Sequence, residues 1–269
     1  LPNRSLAMLF EKPSTRTRVS FEAGITQLGG HAIFLGPDVT HLDHGEPVAD
    51  TARVLSGYVD AVMVRVFDHD ALEAMADHAS VPVVNGLSDA AHPCQTLADL
   101  FTIYEGFGGF EDLQVAWVGD GNNVAQSFAV GAAMAGLDLT MATPEGYEPD
   151  EDVLARAAEQ GSAPEVVHDP EAAVEDADVV YTDVWVSMGQ EDERDEKLGD
   201  FAGFQVNDDL LAAAPEASVM HCLPAHRGEE ITGGVLESEQ SIVWAQAENR
   251  MHTQKALLTH LLGAGDALP

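Results

Sequence analysis

Hydroxyl and guanidinium side chains cluster in one short segment, residues 14–18 (Ser-Thr-Arg-Thr-Arg), directly after an apolar run that predicts a strand. A helix that begins here presents free backbone N–H groups and a positive dipole end, and a guanidinium fork can bind two anionic oxygens. Ser14 or Thr15 could be an ordinary N-cap, but capping does not explain Arg16 and Arg18, because cations at a helix start oppose the dipole. The segment therefore predicts a phosphate site.

Two further arginines and a histidine extend this chemistry. Arg65 ends an apolar strand-like run, and Arg250 lies in the predicted first turn of the last helix. Arg65 could be an edge-strand charge, but only 12 of 269 residues are Lys or Arg, so we interpret it as a functional cation. Arg250 at a helix start would oppose the helix dipole, as the arginines of the phosphate segment do, and we interpret it in the same way. His92 and Gln95 lie three residues apart at a predicted helix start. Capping would explain this pair if it stood alone. Together with the phosphate segment, the pair indicates a histidine that polarises a carbonyl group and a glutamine that recognises an amide group.

The second half of the chain carries a different set of polar residues after its strands. Residues 119–124 (Gly-Asp-Gly-Asn-Asn-Val) resemble the start of a dinucleotide fingerprint, but Val124 replaces the third glycine, which makes a nucleotide site a weak prediction. Asn123 could cap the next helix or bind an α-carboxylate. Asp183 ends an apolar strand, where an unpaired carboxylate is costly to desolvate, so a cationic amine is its expected partner.

Cys222, between His221 and Leu223, is either a small buried hydrophobe or a thiol that handles a proton. Met188 by itself is ordinary core filler and draws interest only from the Ser-Met-Gly sequence around it. None of the 11 histidines has a spacing that makes a convincing metal site, so we predict none.

These residues follow strands in a repeating pattern. Short runs rich in Val, Ile, Ala and Met alternate with helix-period segments, which predicts an α/β fold with mainly parallel sheets flanked by helices. Ligands of such sheets lie beyond the carboxyl ends of the strands. The predicted strands are Ser5–Phe10, His31–Leu35, Ala61–Val66, Val81–Asn85, Gln114–Val118, Asp138–Ala142, Glu165–His168, Val179–Val184, Ser218–Cys222 and Ser241–Ala245.

The glycine-rich stretch at residues 106–109 predicts a boundary between two domains, 1–107 and 108–269. We expect the last helix, about residues 248–262, to pack back on the first domain. The acidic segment Gln190–Lys197 is predicted to be a solvated loop.

Acidic residues outnumber Lys and Arg by 46 to 12, giving a formal charge of -34, which argues against nucleic acid and anionic membranes as partners. A hydrophobic share of 45% argues against disorder. The charge instead indicates adaptation to concentrated salt, where the Debye length shrinks to ~3 Å at 1 M. Two cysteines and no apolar run of ~20 residues predict a soluble protein of the cytoplasm.

Taken in order, four motifs resemble the ornithine carbamoyltransferases. They are the run from Phe10 to Glu22, His-Pro-Cys-Gln at 92–95, Ser-Met-Gly at 187–189 and His-Cys-Leu-Pro at 221–224, and matching stretches continue to Glu248-Asn249-Arg250. The sister aspartate carbamoyltransferases share the phosphate motif but lack the Ser-Met-Gly loop. Relatives that use putrescine or acetylated ornithine are disfavoured by the same loop.

The resemblance implies transfer of the carbamoyl group of carbamoyl phosphate to the side-chain amine of L-ornithine, giving citrulline and phosphate, without a cofactor. It implies that carbamoyl phosphate is bound by Ser14, Thr15, Arg16, Thr17, Arg65, His92, Gln95, Cys222, Leu223 and Arg250. It places ornithine against Asn123, Asp183, Ser187 and Met188, and gives the catalytic roles to Arg65, His92, Asp183 and Cys222.

The same resemblance implies a homotrimer or a multiple of trimers, in which the loop 41–46 brings His41 to a neighbouring subunit's carbamoyl phosphate. It also leads us to expect a further helical segment before the first strand. A catalytically silent paralogue that binds metabolites, and a nicotinamide-dependent oxidoreductase, are the alternatives from other classes; Val124 argues against the second. An anabolic and a catabolic role in arginine metabolism use the same chemistry and stay open.

Overall fold

The computed structural model describes residues 1–37, 45–187 and 189–263, and these residues form two compact units. The first unit contains Leu1–Cys94 and the chain from Arg250 onward, and the second contains Gln95–Asn249. Helices α4 (Pro93–Phe107) and α11 (Val243–Leu261) include the two points where the chain passes from one unit to the other. The domain boundary predicted at residues 107 and 108, and the packing of the last helix on the first domain, stay predictions.

The first unit is built on a parallel sheet of four strands in the order β2-β1-β3-β4. Its strands are β1 Ser5–Phe10, β2 His31–Leu35, β3 Ala61–Arg65 and β4 Val83–Leu87, and its other helices are α1 Thr15–Gln27, α2 Val48–Ser56 and α3 His69–His78. Every residue of β1 and β3 is buried, as expected for central strands covered on both faces. Leu6 and Met8 pack with Phe21 and Ile25 of α1, while Leu9 belongs to the core on the opposite face.

The second unit has a parallel sheet of five strands in the order β7-β6-β5-β8-β9. Its strands are β5 Gln114–Val118, β6 Asp138–Ala142, β7 Glu165–Val167, β8 Val179–Thr182 and β9 Ser218–His221. Its remaining helices are α5 Asn123–Ala135, α6 Glu151–Gln160, α7 Pro170–Val174, α8 Arg194–Asp200, α9 Asp208–Leu211 and α10 Gly233–Leu236. Trp117 and Phe128 pack edge-on against Tyr181 in its core.

Strand order determines where each unit gathers its polar side chains. The chain leaves β1 toward β2 on one side, whereas β3 lies on the other side, so β1 and β3 flank a topological switch point. In the second unit β5 and β8 flank the corresponding point. Ligands of open α/β sheets bind beyond the carboxyl ends of strands at such points. The two parallel sheets confirm the predicted fold class, and the predicted polar residues follow strands of these sheets.

Two sequence predictions about local structure are wrong. Ser241–Ala245 is not a strand: Ser241 makes only an isolated bridge with Val219, and α11 begins at Val243. Short apolar runs do not distinguish a strand from a buried helix start. Consequently Arg250 lies two turns inside α11, and the dipole argument for it does not hold.

The acidic segment from Gln190 to Lys197 is also not a solvated loop. A 3-10 turn at Glu191–Glu193 leads into α8, and the side chain of Lys197 is buried. Within the described ranges, no helix combines the length and the apolar character needed to cross a bilayer.

Candidate functional site

The segment after β1 forms a capped helix start in the first unit. The Ser14 hydroxyl accepts a hydrogen bond from the Thr17 backbone N–H at 3.2 Å and donates one to Thr17 Oγ1 at 3.1 Å. The N-cap interpretation of Ser14 is therefore confirmed, although it leaves Thr15 and Arg16 in the first turn unexplained. Arg18 points elsewhere: it pairs with Glu22 at 3.0 Å and lies over the Phe34 ring.

The positive charges of three arginines of the first unit influence His92. Arg65, His92 and Arg250 are each at most 5% exposed, and an Arg250 Nη2 donates to Thr17 Oγ1 at 3.3 Å. Burial, followed by the charges of Arg250, Arg65 and Arg16, lowers the pKa of His92 well below its ordinary value. The side chains come from α11, the end of β3, the start of α1 and the residue before α4. Two buried arginines and the exposed Arg16 at the start of α1 form a group of positive charge that suits a multiply charged anion.

The lowered pKa of His92 predicts how stability changes with pH. Folded His92 is neutral, whereas in the unfolded chain it titrates near its ordinary value of 6.5, so below that pH the unfolded state binds an extra proton. Stability from this group is therefore complete above pH 6.5 and is lost, by roughly 1.4 kcal/mol per pH unit at most, as the pH falls toward the folded pKa. In urea titrations between pH 7 and 5, His92→Gln is expected to lose less stability than the wild type. Equal losses would contradict a neutral buried His92.

The second unit places a buried carboxylate at its own switch point. Asp183 follows β8 and is 5% exposed. Its Oδ2 accepts from Asn122 Nδ2 at 3.0 Å, and its Oδ1 accepts from Cys222 Sγ at 2.9 Å. Asn122, rather than Asn123, caps α5, and Asn123 is the first helical residue. Asp183 and Cys222 are thus in direct contact.

The turn after β9 is shaped by a fully buried histidine. His221 Nδ1 accepts from the Leu223 backbone N–H at 2.8 Å, so the ring proton lies on Nε2, which donates to Glu230 Oε1 at 3.0 Å. Both side chains are completely buried. Leu223 has a φ of +61°, a left-handed conformation that a non-glycine residue rarely adopts, and the His221 bond supports it. This turn fixes the position of Cys222.

A buried ion pair supports the loops around Asp183 and was missed in the sequence. Lys197 Nζ lies 2.7 Å from Asp120 Oδ2, with both side chains at most 10% exposed. Burial raises the pKa of Asp120, and the hydrogen bond from Lys197 opposes that rise. Lys197 also donates to Gln190 Oε1 at 3.1 Å, and that oxygen accepts from the Ser187 backbone N–H at 3.2 Å. The only sequence signal was a lysine, one of three in the chain, within an acidic segment.

Close backbone approach explains one glycine of the loop after β5. A Cβ built on Gly121 would lie 2.5 Å from Tyr147 O and from Pro149 N. The Gly121 backbone N–H donates to Tyr147 O at 2.8 Å, so the loop is pinned against the segment after β6. No side chain fits here, which accounts for a glycine without any nucleotide-binding role.

The remaining predicted residues are placed as follows. Gln95 lies in the second unit, where its Nε2 donates to Asp99 Oδ1 at 2.7 Å. Ser187 follows β8 in the Ser-Met-Gly segment. His41 and Met188 lie outside the described residues.

Two groups of metal-type donors occur in the described part of the chain, each with donor atoms within 4.8 Å of one another. They are Asp183, His221 and Cys222, and His226, Glu229 and Glu230. In the first group both His221 nitrogens already make hydrogen bonds. In the second group Glu230 accepts from His221 and from the His226 backbone N–H, and Glu229 pairs with Arg194. These bonds use both nitrogens of His221 but only one oxygen each of Glu229 and Glu230, whose second oxygens make no hydrogen bond. The expectation of no metal stays a prediction.

Comparison with known proteins agrees over nearly the whole chain. Residues 1–105 match the family model described as the carbamoyl-P binding domain of aspartate/ornithine carbamoyltransferase, and residues 111–261 match its Asp/Orn binding domain. An ornithine carbamoyltransferase of Haloquadratum walsbyi is 66% identical over 97% of this chain and 87% of its own length.

Solved structures give the same result. The ornithine carbamoyltransferase from Pyrococcus furiosus is 56% identical with a TM-score of 0.94, covering 98% of this chain and 86% of that one. The Thermus thermophilus enzyme is 49% identical with a TM-score of 0.89, covering 97% and 87%. With matched domain models, sequence identity and strand-end residues in agreement, the chain belongs to the aspartate/ornithine carbamoyltransferase family.

Proposed function

We propose that this protein transfers the carbamoyl group of carbamoyl phosphate to the side-chain amine of L-ornithine, producing L-citrulline and phosphate in arginine metabolism. The observation that carries the proposal is the convergence of Arg16, Arg65 and Arg250 on a buried His92 in the first unit. The contact between Asp183 and Cys222 in the second unit supports the choice of an amine as acceptor.

Carbamoyl phosphate consists of a phosphate dianion attached to a neutral, amide-like carbonyl group. In the proposal the α1 start, with Ser14, Thr15, Arg16 and Thr17, binds the phosphate together with Arg250. Arg65 and neutral His92 donate hydrogen bonds toward the carbonyl oxygen as negative charge develops there. Because burial and the arginines keep His92 uncharged, it donates without adding a proton that must later be removed.

The acceptor must lose a proton before it attacks. An alkylamine with a pKa near ~10.4 is neutral in only about one of a few thousand molecules at pH 7. We propose that Asp183 and Cys222 hold this amine and help to remove its proton, with the leaving phosphate as final acceptor. Asn123 and Ser187, with Met188, then contact the α-amino acid end of ornithine. The roles of Gln95, Cys222 and Leu223 at carbamoyl phosphate are proposed from the family resemblance.

The charge at Asp183 also favours ornithine over other acceptors. A buried carboxylate attracts the ornithine side-chain ammonium and repels the second carboxylate of aspartate. Putrescine has the amine but lacks an α-carboxylate. A citrulline-formation assay with ornithine, and parallel assays with putrescine and aspartate, tests this: ornithine should give the highest kcat/KM. Binding of carbamoyl phosphate without turnover of any acceptor would instead support a catalytically silent metabolite-binding protein. By the same resemblance we propose a homotrimer or a multiple of trimers that works in the cytoplasm.

We further propose that the enzyme works in concentrated salt, and this gives a testable prediction. With a net charge of -34, self-repulsion and repulsion of anionic carbamoyl phosphate are strongest in dilute buffer. Salt at 1 M screens charges beyond ~3 Å while close arginine contacts are less affected. The thermal midpoint and citrulline formation should both rise between 0.1 and 2 M KCl. Sucrose controls for general stabilisation by excluded solutes. An equal midpoint in dilute buffer and in molar KCl would contradict salt adaptation.

A further inference from the structure

A buried carboxylate, Asp99 in α4, joins three side chains of the second unit. Its Oδ1 accepts from Gln95 Nε2 and from Gln246 Nε2, both at 2.7 Å, and its Oδ2 accepts from the Tyr181 hydroxyl at 2.9 Å. Asp99, Gln246 and Tyr181 are fully buried, and Gln95 is 1% exposed. A carboxylate removed from water this completely requires hydrogen-bond donors, and these three side chains supply them.

We infer that Asp99 is a positioning residue for carbamoyl transfer, which holds the Gln95 amide in one orientation. The inference rests on the proposed function, in which Gln95 recognises the carbamoyl group. A glutamine amide can turn over and present either its nitrogen or its oxygen to a ligand. Because an ionised carboxylate only accepts hydrogen bonds, Asp99 selects the orientation in which the Gln95 nitrogen faces it. The Gln95 carbonyl oxygen is then directed away from Asp99, as an acceptor for the carbamoyl NH₂ group requires.

Asp99 is itself held firmly enough for this task. Gln95 and Asp99 lie four residues apart, on the same face of α4, so their bond forms with the helix. Tyr181 approaches from β8 and Gln246 from α11, and Gln246 Oε1 is fixed in turn by the His221 backbone N–H at 2.9 Å. A group held by separate elements can keep a ligand-binding amide in place before the substrate arrives.

The test compares Asp99→Leu, Gln95→Ala and the double variant, with Tyr181→Phe as the matched control. Tyr181→Phe removes a bond to the same carboxylate but leaves both glutamines in place. In citrulline assays at saturating ornithine, Asp99→Leu and Gln95→Ala should each raise the KM for carbamoyl phosphate about tenfold, as expected for one lost hydrogen bond. The double variant should be no worse than Gln95→Ala, and Tyr181→Phe should change that KM less than about twofold.

If Asp99→Leu does not fold, Asp99→Asn serves in its place. The asparagine can keep its oxygen toward both glutamines by directing its NH₂ group at the Tyr181 oxygen, so the single variant should change the KM less than about threefold. In a Tyr181→Phe background that partner is lost, and the KM should rise about tenfold. Simple multiplication of the two single effects would overturn the inference.

The outcomes distinguish a failure of the role of Asp99 from a failure of the proposed function. An active wild type whose KM for carbamoyl phosphate is unaffected by Asp99→Leu, or whose double variant multiplies both effects, overturns the role of Asp99 alone. A folded wild type that forms no citrulline at any salt concentration overturns the proposed function, and the role of Asp99 falls with it.

Discussion

His92→Ala is expected to lower kcat for citrulline formation about 10²- to 10³-fold, which corresponds to roughly 2.7 to 4 kcal/mol of transition-state stabilisation. Burial, followed by the charges of Arg250, Arg65 and Arg16, lowers the pKa of His92 and keeps it neutral, so in the proposed mechanism it donates a hydrogen bond to the carbonyl oxygen. Its bond strengthens as charge develops on that oxygen, and its loss therefore reduces kcat and not only binding. Initial rates with saturating carbamoyl phosphate and ornithine in molar KCl measure the effect.

The control for His92→Ala is His78→Ala. His78 is an exposed histidine at the end of α3 whose Nδ1 bonds only locally, to Ala74 O. It should leave kcat unchanged. Urea unfolding of both variants separates catalysis from stability, because loss of activity through unfolding would appear as a lower midpoint. A folded His92→Ala variant with wild-type kcat would remove His92 from the proposed mechanism.

Neighbouring strands explain why the sequence could predict which residues of the candidate site lie near one another. Phe10 and Arg65 are paired at the ends of β1 and β3, so residues that follow one strand lie near those that end the other. The buried strands alternate regularly with helices, and four strand predictions match the structure residue for residue: Ser5–Phe10, His31–Leu35, Gln114–Val118 and Asp138–Ala142. To predict which polar residues meet at the ends of parallel strands, it is thus enough to recognise the strands and their order.

Contacts distant in sequence could not be predicted in this way. Lys197 pairs with Asp120 across 77 residues, and Gln246 reaches Asp99 across 147. Nothing in local composition reports such partners, because a lysine in an acidic segment is normally solvated and a glutamine in a helix is normally exposed. Arg250 was predicted for the wrong reason. It acts on His92 as expected, but it lies two turns inside α11 rather than at its start, so tertiary packing and not the helix start places it there.

The buried pair of Lys197 and Asp120 also explains how an acidic protein supports its loops locally. The charge of -34 is spread over a surface where salt screens it, whereas Lys197 and Asp120 are at most 10% exposed and are screened far less. Gln190 extends this pair to the Ser187 backbone. The loop proposed to contact ornithine is therefore held by interactions that bulk salt weakens little.

Asp183→Asn is expected to lower kcat/KM for ornithine about 10²- to 10⁴-fold at pH 7, the usual range for loss of a general acid or base. The asparagine keeps the size of the side chain and can still accept from Asn122, so folding should change little. It neither attracts the ammonium group nor receives its proton. Because the neutral fraction of an amine with a pKa near ~10.4 rises about 100-fold between pH 7 and 9, the deficit should shrink at pH 9.

The comparison that decides this prediction is the ratio of variant to wild-type kcat/KM at the two pH values. Asp152→Asn, a change at an exposed carboxylate in α6 of the same unit, controls for the loss of one negative charge and should leave the ratio near one. A ratio for Asp183→Asn that is equally low at pH 7 and 9 would mean that Asp183 binds ornithine without assisting deprotonation. A ratio that rises toward one at pH 9 assigns the proton to Asp183, because only deprotonation becomes easier as hydroxide increases.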